Sequence, residues 1–161
     1  MKINKLTIFA YLMLTTALPS FAADDKSCEE LEKLGIVGGS IGDHAKEIRG
    51  DFYCPSITEV EADIDGDGTE DLVVSYSIEG SCYDKKDLPP GNCGNYHEEF
   101  IAVSLKKDGK NLKPAIAKIG GRGERKHSCF TVQGNKIILE TLEYRKEDPM
   151  CCPSKEGTAT C

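Results

Sequence analysis

The chain has 161 residues, of which 20 are Lys or Arg and 27 are Asp or Glu, giving a formal net charge of −7 at neutral pH. That length suits one domain with a substantial core. The acidic excess argues against nucleic acid and anionic membranes as partners, and suits cations or a basic protein partner.

The N-terminus reads as a secretory signal. Lys2 and Lys5 give a positive start, and Leu6 to Leu18 form an apolar run interrupted only by threonines. Ser20-Phe21-Ala22 then puts small residues at the two positions that a signal peptidase reads. An apolar run of roughly 13 residues falls short of the ~20 needed to span a bilayer, so a membrane anchor is the weaker reading. No lipid-attachment cysteine follows, because Cys28 sits in a polar stretch. The expected division is a signal peptide over 1–22 and one domain over 23–161. That domain would be periplasmic or secreted, with no membrane anchor after cleavage. Cleavage removes Lys2 and Lys5 and no acid, leaving 18 basic against 27 acidic residues, a net charge of −9.

All eight cysteines fall in this domain: Cys28, Cys54, Cys82, Cys93, Cys129, Cys151, Cys152 and Cys161. An even number in an exported domain reads as a disulfide framework. Zinc is the competing reading, and the spacings lack a C-x-x-C pair or a paired-His motif. Cys82 with Cys93 and Cys28 with Cys54 are the favoured bridges. The adjacent Cys151 and Cys152 each call for a separate partner, drawn from Cys129 and Cys161.

In chain order, Ser27 and Glu30 form a capping-box pattern ahead of Leu31 and Leu34, which predicts a short helix over 28–34 ended by Gly35. Residues 35–43 are Gly-rich and read as irregular, with a second helical turn through His44 to Arg49. Ile57 to Ala62 alternates, and Asp71 to Ile78 has strand composition. Residues 80–96 form a long loop that a Cys82–Cys93 bridge would order. Phe100 to Leu105 is a strand. Asp108-Gly109 is a hairpin turn, with Leu112 to Ile119 returning. Gly120 to Gly123 is a flexible connection. Ser128 to Val132 and Lys136 to Tyr144 make a hairpin about Gly134-Asn135. From Glu147 the tail is rich in Pro and Cys. No segment repeats, which excludes solenoids and propellers. The expected class is mainly β (α+β): a single antiparallel sheet of about five to seven strands with a short N-terminal helix, stapled by disulfides.

The chemistry concentrates in Asp63-Ile64-Asp65-Gly66-Asp67-Gly68-Thr69-Glu70-Asp71. Carboxylates fall at loop positions 1, 3, 5 and 9 as Asp63, Asp65, Asp67 and Asp71. Gly68 stands at the sharp turn of position 6, and Thr69 at position 7 would offer its carbonyl. A hard cation needs six to eight oxygens at about 2.3–2.6 Å, and this spacing can converge them, so Ca2+ is the expected ion. The bland reading is a polar turn to which Asp and Gly are merely suited. Position 12, a bidentate Glu in an EF-hand, is Val74, and strands rather than helices flank the loop.

This loop, with Asp71-Leu72-Val73-Val74 behind it, resembles the calcium loops of FG-GAP and VCBS-type repeats. The resemblance covers about 16 residues and implies the ion and its local geometry. A second resemblance lies in Asp148-Pro149-Met150-Cys151-Cys152-Pro153-Ser154, downstream of a Gly-Asp-Gly loop and a Val-Val strand. It is similar to small exported bacterial proteins, the mycobacterial LppP/LprE-type lipoproteins among them. That likeness implies export and no particular biochemistry.

The remaining candidates favour structural readings. Cys129 after His127 and Ser128 reads as a bridge cysteine rather than a nucleophile. His44 and His97 are isolated and read as surface residues. Gly120 to His127 is a basic patch on an acidic chain and reads as a solvated connection. Glu98 and Glu99 are neighbours on a strand, point to opposite faces and cannot act as a pair. No triad or cofactor fingerprint is present. The expectation is therefore a non-catalytic exported calcium-binding domain. The alternative is a periplasmic inhibitor or immunity protein that captures a basic, cell-wall-degrading enzyme.

Overall fold

The computed structural model describes residues 29–52, 56–81, 96–149 and 152–161. The expected signal segment, the 82–95 part of the long loop, and Cys28, Cys54, Cys82, Cys93 and Cys151 lie outside the described residues.

The described residues begin with two helices, α1 over Glu29–Lys33 and α2 over Ile36–Glu47. The second runs through the segment read above as irregular. Its three glycines each cost helix propensity, which hid it. What forms it is the stripe Val37, Ile41 and Ala45, all buried, extended by buried Ile48 just beyond its end. A β-carbon on Gly38 would run into the carbonyl of Leu31. That glycine lets α1 cross closely over α2.

The central sheet is built on β3, Asp71–Glu79. On one side β3 pairs in succession with β1, Asp51–Phe52, and with β2, Thr58–Ala62. On the other it pairs with β4, His97–Ser104, which in turn pairs with β7, Ala115–Gly121. A small hairpin, β5 at Lys106–Lys107 and β6 at Lys110–Asn111, turns on Asp108 and Gly109 at φ 51° and 74°. A separate three-stranded sheet follows, in the order β10-β9-β8. Its strands are β8 over Arg125–Gln133, β9 over Lys136–Glu143 and β10 over Lys155–Thr160. Every pairing among the described residues is antiparallel.

The expectation of a single sheet is therefore corrected to three among the described residues. The reason lies in β3, which is buried at every position from Asp71 to Tyr76. A strand covered on both faces needs a layer on each side. On one face Leu72, Val74, Tyr76 and Ile78, with Phe100 and Ala102, pack against α2. On the other, Val73, Ile101 and Ile119 meet Phe130, Ile137 and Leu139 of the second sheet.

Three further expectations change. The tail forms β10, whose ladder to β9 continues through paired backbone hydrogen bonds between Cys161 and Ile137. The return strand expected over Leu112 to Ile119 begins only at Ala115, because Pro114 has no N–H for a ladder. The turn closes through β6, and β7 begins beyond the proline to pair with β4. Cys129 and Cys161 are free thiols on the surface. Neither is the partner assigned to Cys151 or Cys152, and among the described residues no disulfide joins two cysteines.

Candidate metal centre

The acidic loop is the connection between β2 and β3, with Ala62 and Asp71 paired at its base. Its turns are made by its own aspartates. Asp63 accepts backbone N–H bonds from Gly66 at 2.8 Å and Gly68 at 3.0 Å. Asp65 accepts from Asp67 N–H at 3.1 Å, and Asp67 from Thr69 N–H at 2.7 Å. Gly66 and Gly68 stand at φ 81° and 85°, in the left-handed region that glycine enters without strain.

Asp71 closes the loop from below and is 1% exposed. Its Oδ2 accepts the Ile64 N–H at 3.0 Å, and its Oδ1 the Lys106 N–H at 2.7 Å. One buried carboxylate thus ties together the acidic loop, β3 and the β5–β6 hairpin. Oxygens of Asp63, Asp65 and Asp71 all lie within 4.8 Å of one another. Two oxygens on one calcium ion, each at about 2.3–2.6 Å, are at most about 4.6–5.2 Å apart. The triad can therefore share such an ion. Each carboxylate oxygen that takes one N–H retains a lone pair for a cation.

The five residues expected to hold the metal are not all brought together. Asp63, Asp65 and Asp71 converge, whereas Asp67 is turned to the Thr69 N–H and stands outside the triad. Thr69 is half-buried beside it. Position 12, Val74, is fully buried in the helix-side core and offers no oxygen.

Other charged groups are organised in ways the sequence did not announce. Glu98 and Glu99 do face opposite layers, and both are buried. Glu98 accepts from Ser81 Oγ at 2.7 Å and pairs with Lys118 at 2.9 Å. Burial works against the Lys118 charge, but hydrogen bonds to Glu124 and Glu98 outweigh it and hold the ammonium above its usual range. Glu99 accepts the His127 backbone N–H at 2.9 Å and lies 2.8 Å from His127 Nδ1, with His97 Nε2 at 3.9 Å. His127 is thus drawn out of the basic patch into the layer between the sheets. His44 is not simply a surface residue either. Its Nδ1 is 2.8 Å from the hydroxyl of fully buried Tyr76, and its ring meets Phe100 edge-on at 4.5 Å. Burial lowers the His44 pKa against the opposing pull of Glu47 and Glu98, and burial also raises the Tyr76 phenol. Only the position of His44, one residue before Ala45 in the buried stripe, hinted at this.

Among the described residues no helix is long and apolar enough to cross a membrane. No family model matches the chain, and no curated protein or solved structure is significantly similar to it.

Proposed function

We propose that the chain is a non-catalytic, exported cation-binding domain whose loop 63–71 takes Ca2+ and uses it structurally. The observation that carries this reading is the convergence of Asp63, Asp65 and Asp71 within 4.8 Å. Three carboxylates so close repel one another, and a divalent cation would turn that repulsion into attraction. Calcium suits the all-oxygen donor set, to which Asp67 and the Thr69 carbonyl would add with water. The role would be structural because Asp71 is already bonded to two separate segments. Without a Glu at position 12, affinity falls in the range of extracellular modules, about 10⁻⁴–10⁻³ M. A bridge at Cys152 and others among the cysteines outside the described residues would complete the stapling of the domain.

The test is a thermal melt of the oxidised domain in excess calcium and in chelator, repeated on Asp65→Ala. Calcium at one hundred times its dissociation constant should stabilise by about 2.7 kcal/mol, and Asp65→Ala should abolish the gain. Identical melts would sink the calcium reading. Capture of a basic enzyme would then lead, supported by the acidic charge and by an open groove of about 650 Å³ on the second sheet lined by Glu140 and Glu156.

A further inference from the structure

A second groove, of about 280 Å³, runs between α2 and the entry to β7. Asp43, His44 and Glu47 line its helix side, and Lys113, Pro114 and Ile116 line the other. Its floor is fixed, since Pro114 is buried and Ile116 packs against the helix-side core. His44 is clamped by Tyr76 and Phe100. Whichever of His44 Nδ1 and the Tyr76 hydroxyl donates, Nε2 has no partner among the described residues and has one hydrogen bond to offer. Nδ1 is taken by the hydroxyl of fully buried Tyr76, which fixes the ring and leaves Nε2 as its free polar atom. Among the described residues, neither the Glu47 carboxylate nor the Lys113 ammonium has an ion-pair or hydrogen-bond partner.

The geometry points to a binding site for a small zwitterion with the chemistry of an α-amino acid. Its ammonium meets Glu47, with Asp43 beside it, and its carboxylate meets Lys113. His44 Nε2 makes a third hydrogen bond, and the ligand's side chain lies over Ile116 and Pro114. Asp43 is paired with Lys46 at 3.4 Å, so a simple anion would gain Lys113 but face the unpaired Glu47 carboxylate, and a simple cation would face Lys113. The volume, about 280 Å³, falls just below the range of drug-sized ligand sites, about 300 to 1,000 Å³, and suits only a ligand of a few heavy atoms.

Heteronuclear NMR of the His44 ring and the Ile116 δ-methyl tests this site on the intact domain. The titrants are L-alanine, acetate and methylammonium at constant ionic strength. L-alanine should shift both signals saturably, with acetate and methylammonium at least about tenfold weaker, because each satisfies one wall only. Lys113→Ala and Glu47→Gln are surface changes and should keep the parent melting temperature while losing the saturable shift. A response to L-alanine that is linear up to about 0.1 M, an equal response to acetate, or saturation that survives Lys113→Ala would each overturn the proposal.

Discussion

Both oxygens of Asp71 accept backbone N–H bonds from segments far apart in the chain, and the side chain is out of water. Its structural role is therefore separable from any part in holding a cation. In Asp71→Asn one oxygen becomes an NH2 that confronts an N–H donor. The variant should lose about 1–3 kcal/mol by urea denaturation even in chelator. Asp65→Ala, at an exposed position, should stay within about 0.5 kcal/mol of the parent under the same conditions. Equal losses would mean that Asp71 is only a solvated turn residue. His44 makes a pH prediction at the same scale. Its folded pKa is lowered from 6.5, so the unfolded chain takes up the proton first. Stability from this residue is complete above pH 6.5 and falls as the pH drops from there towards the folded value. Urea midpoints at pH 7.5 and 5.5 should therefore differ more in the parent than in His44→Phe. Sequence alone made the aspartates of the triad legible, because their spacing is the chemistry. It could not show Asp67 turned away or His44 pinned to Tyr76. Those outcomes depend on contacts made by residues distant in the chain.

Among the elements, the strands were the easier to read and α2 and β10 the harder. β3 and β9 are dense in Val, Ile and Leu, and the turns at Asp108-Gly109 and Gly134-Asn135 carry the residues that positive φ demands. The α2 helix violates propensity three times, and only its buried stripe rescues it. β10, Lys-Glu-Gly-Thr-Ala-Thr, has little apolar content and follows a Cys-Cys-Pro segment. It is a strand because β9 offers an edge. The glycines of α2 are not equivalent, and this yields a paired prediction. A β-carbon added at Gly39 would meet no atom within 4 Å, whereas one at Gly38 would be pressed against Leu31. Gly39→Ala should stabilise by about 0.5–1 kcal/mol through helix propensity. Gly38→Ala should destabilise by about 1–3 kcal/mol through overpacking. Melting temperatures moving in the same direction for both would mean that the close crossing of α1 over α2 is wrong.

At the scale of the whole molecule, the mainly β class was legible and the layering was not. The unbroken burial along β3 asks for cover on both faces, yet a short apolar run in the sequence does not say whether a helix or a sheet supplies it. Here one of each does. That arrangement creates a problem of register which the buried glutamates solve. Strands that alternate apolar and polar residues hold their pairing because a one-residue slip exposes the core. β3 and β4 are buried on both faces over most of their length, so burial alone penalises such a slip less than it would on a half-solvated strand. Glu98 and Glu99 break the degeneracy. Slipping β4 by one residue would carry Glu99 into the helix layer, away from His127, and Glu98 towards the second sheet, away from Ser81 and Lys118. Two buried carboxylates would then lose their partners at once, a penalty of several kcal/mol. The two adjacent charges act as an alignment key, favouring the one phase in which a pair of strands buried on both faces keeps its carboxylates partnered.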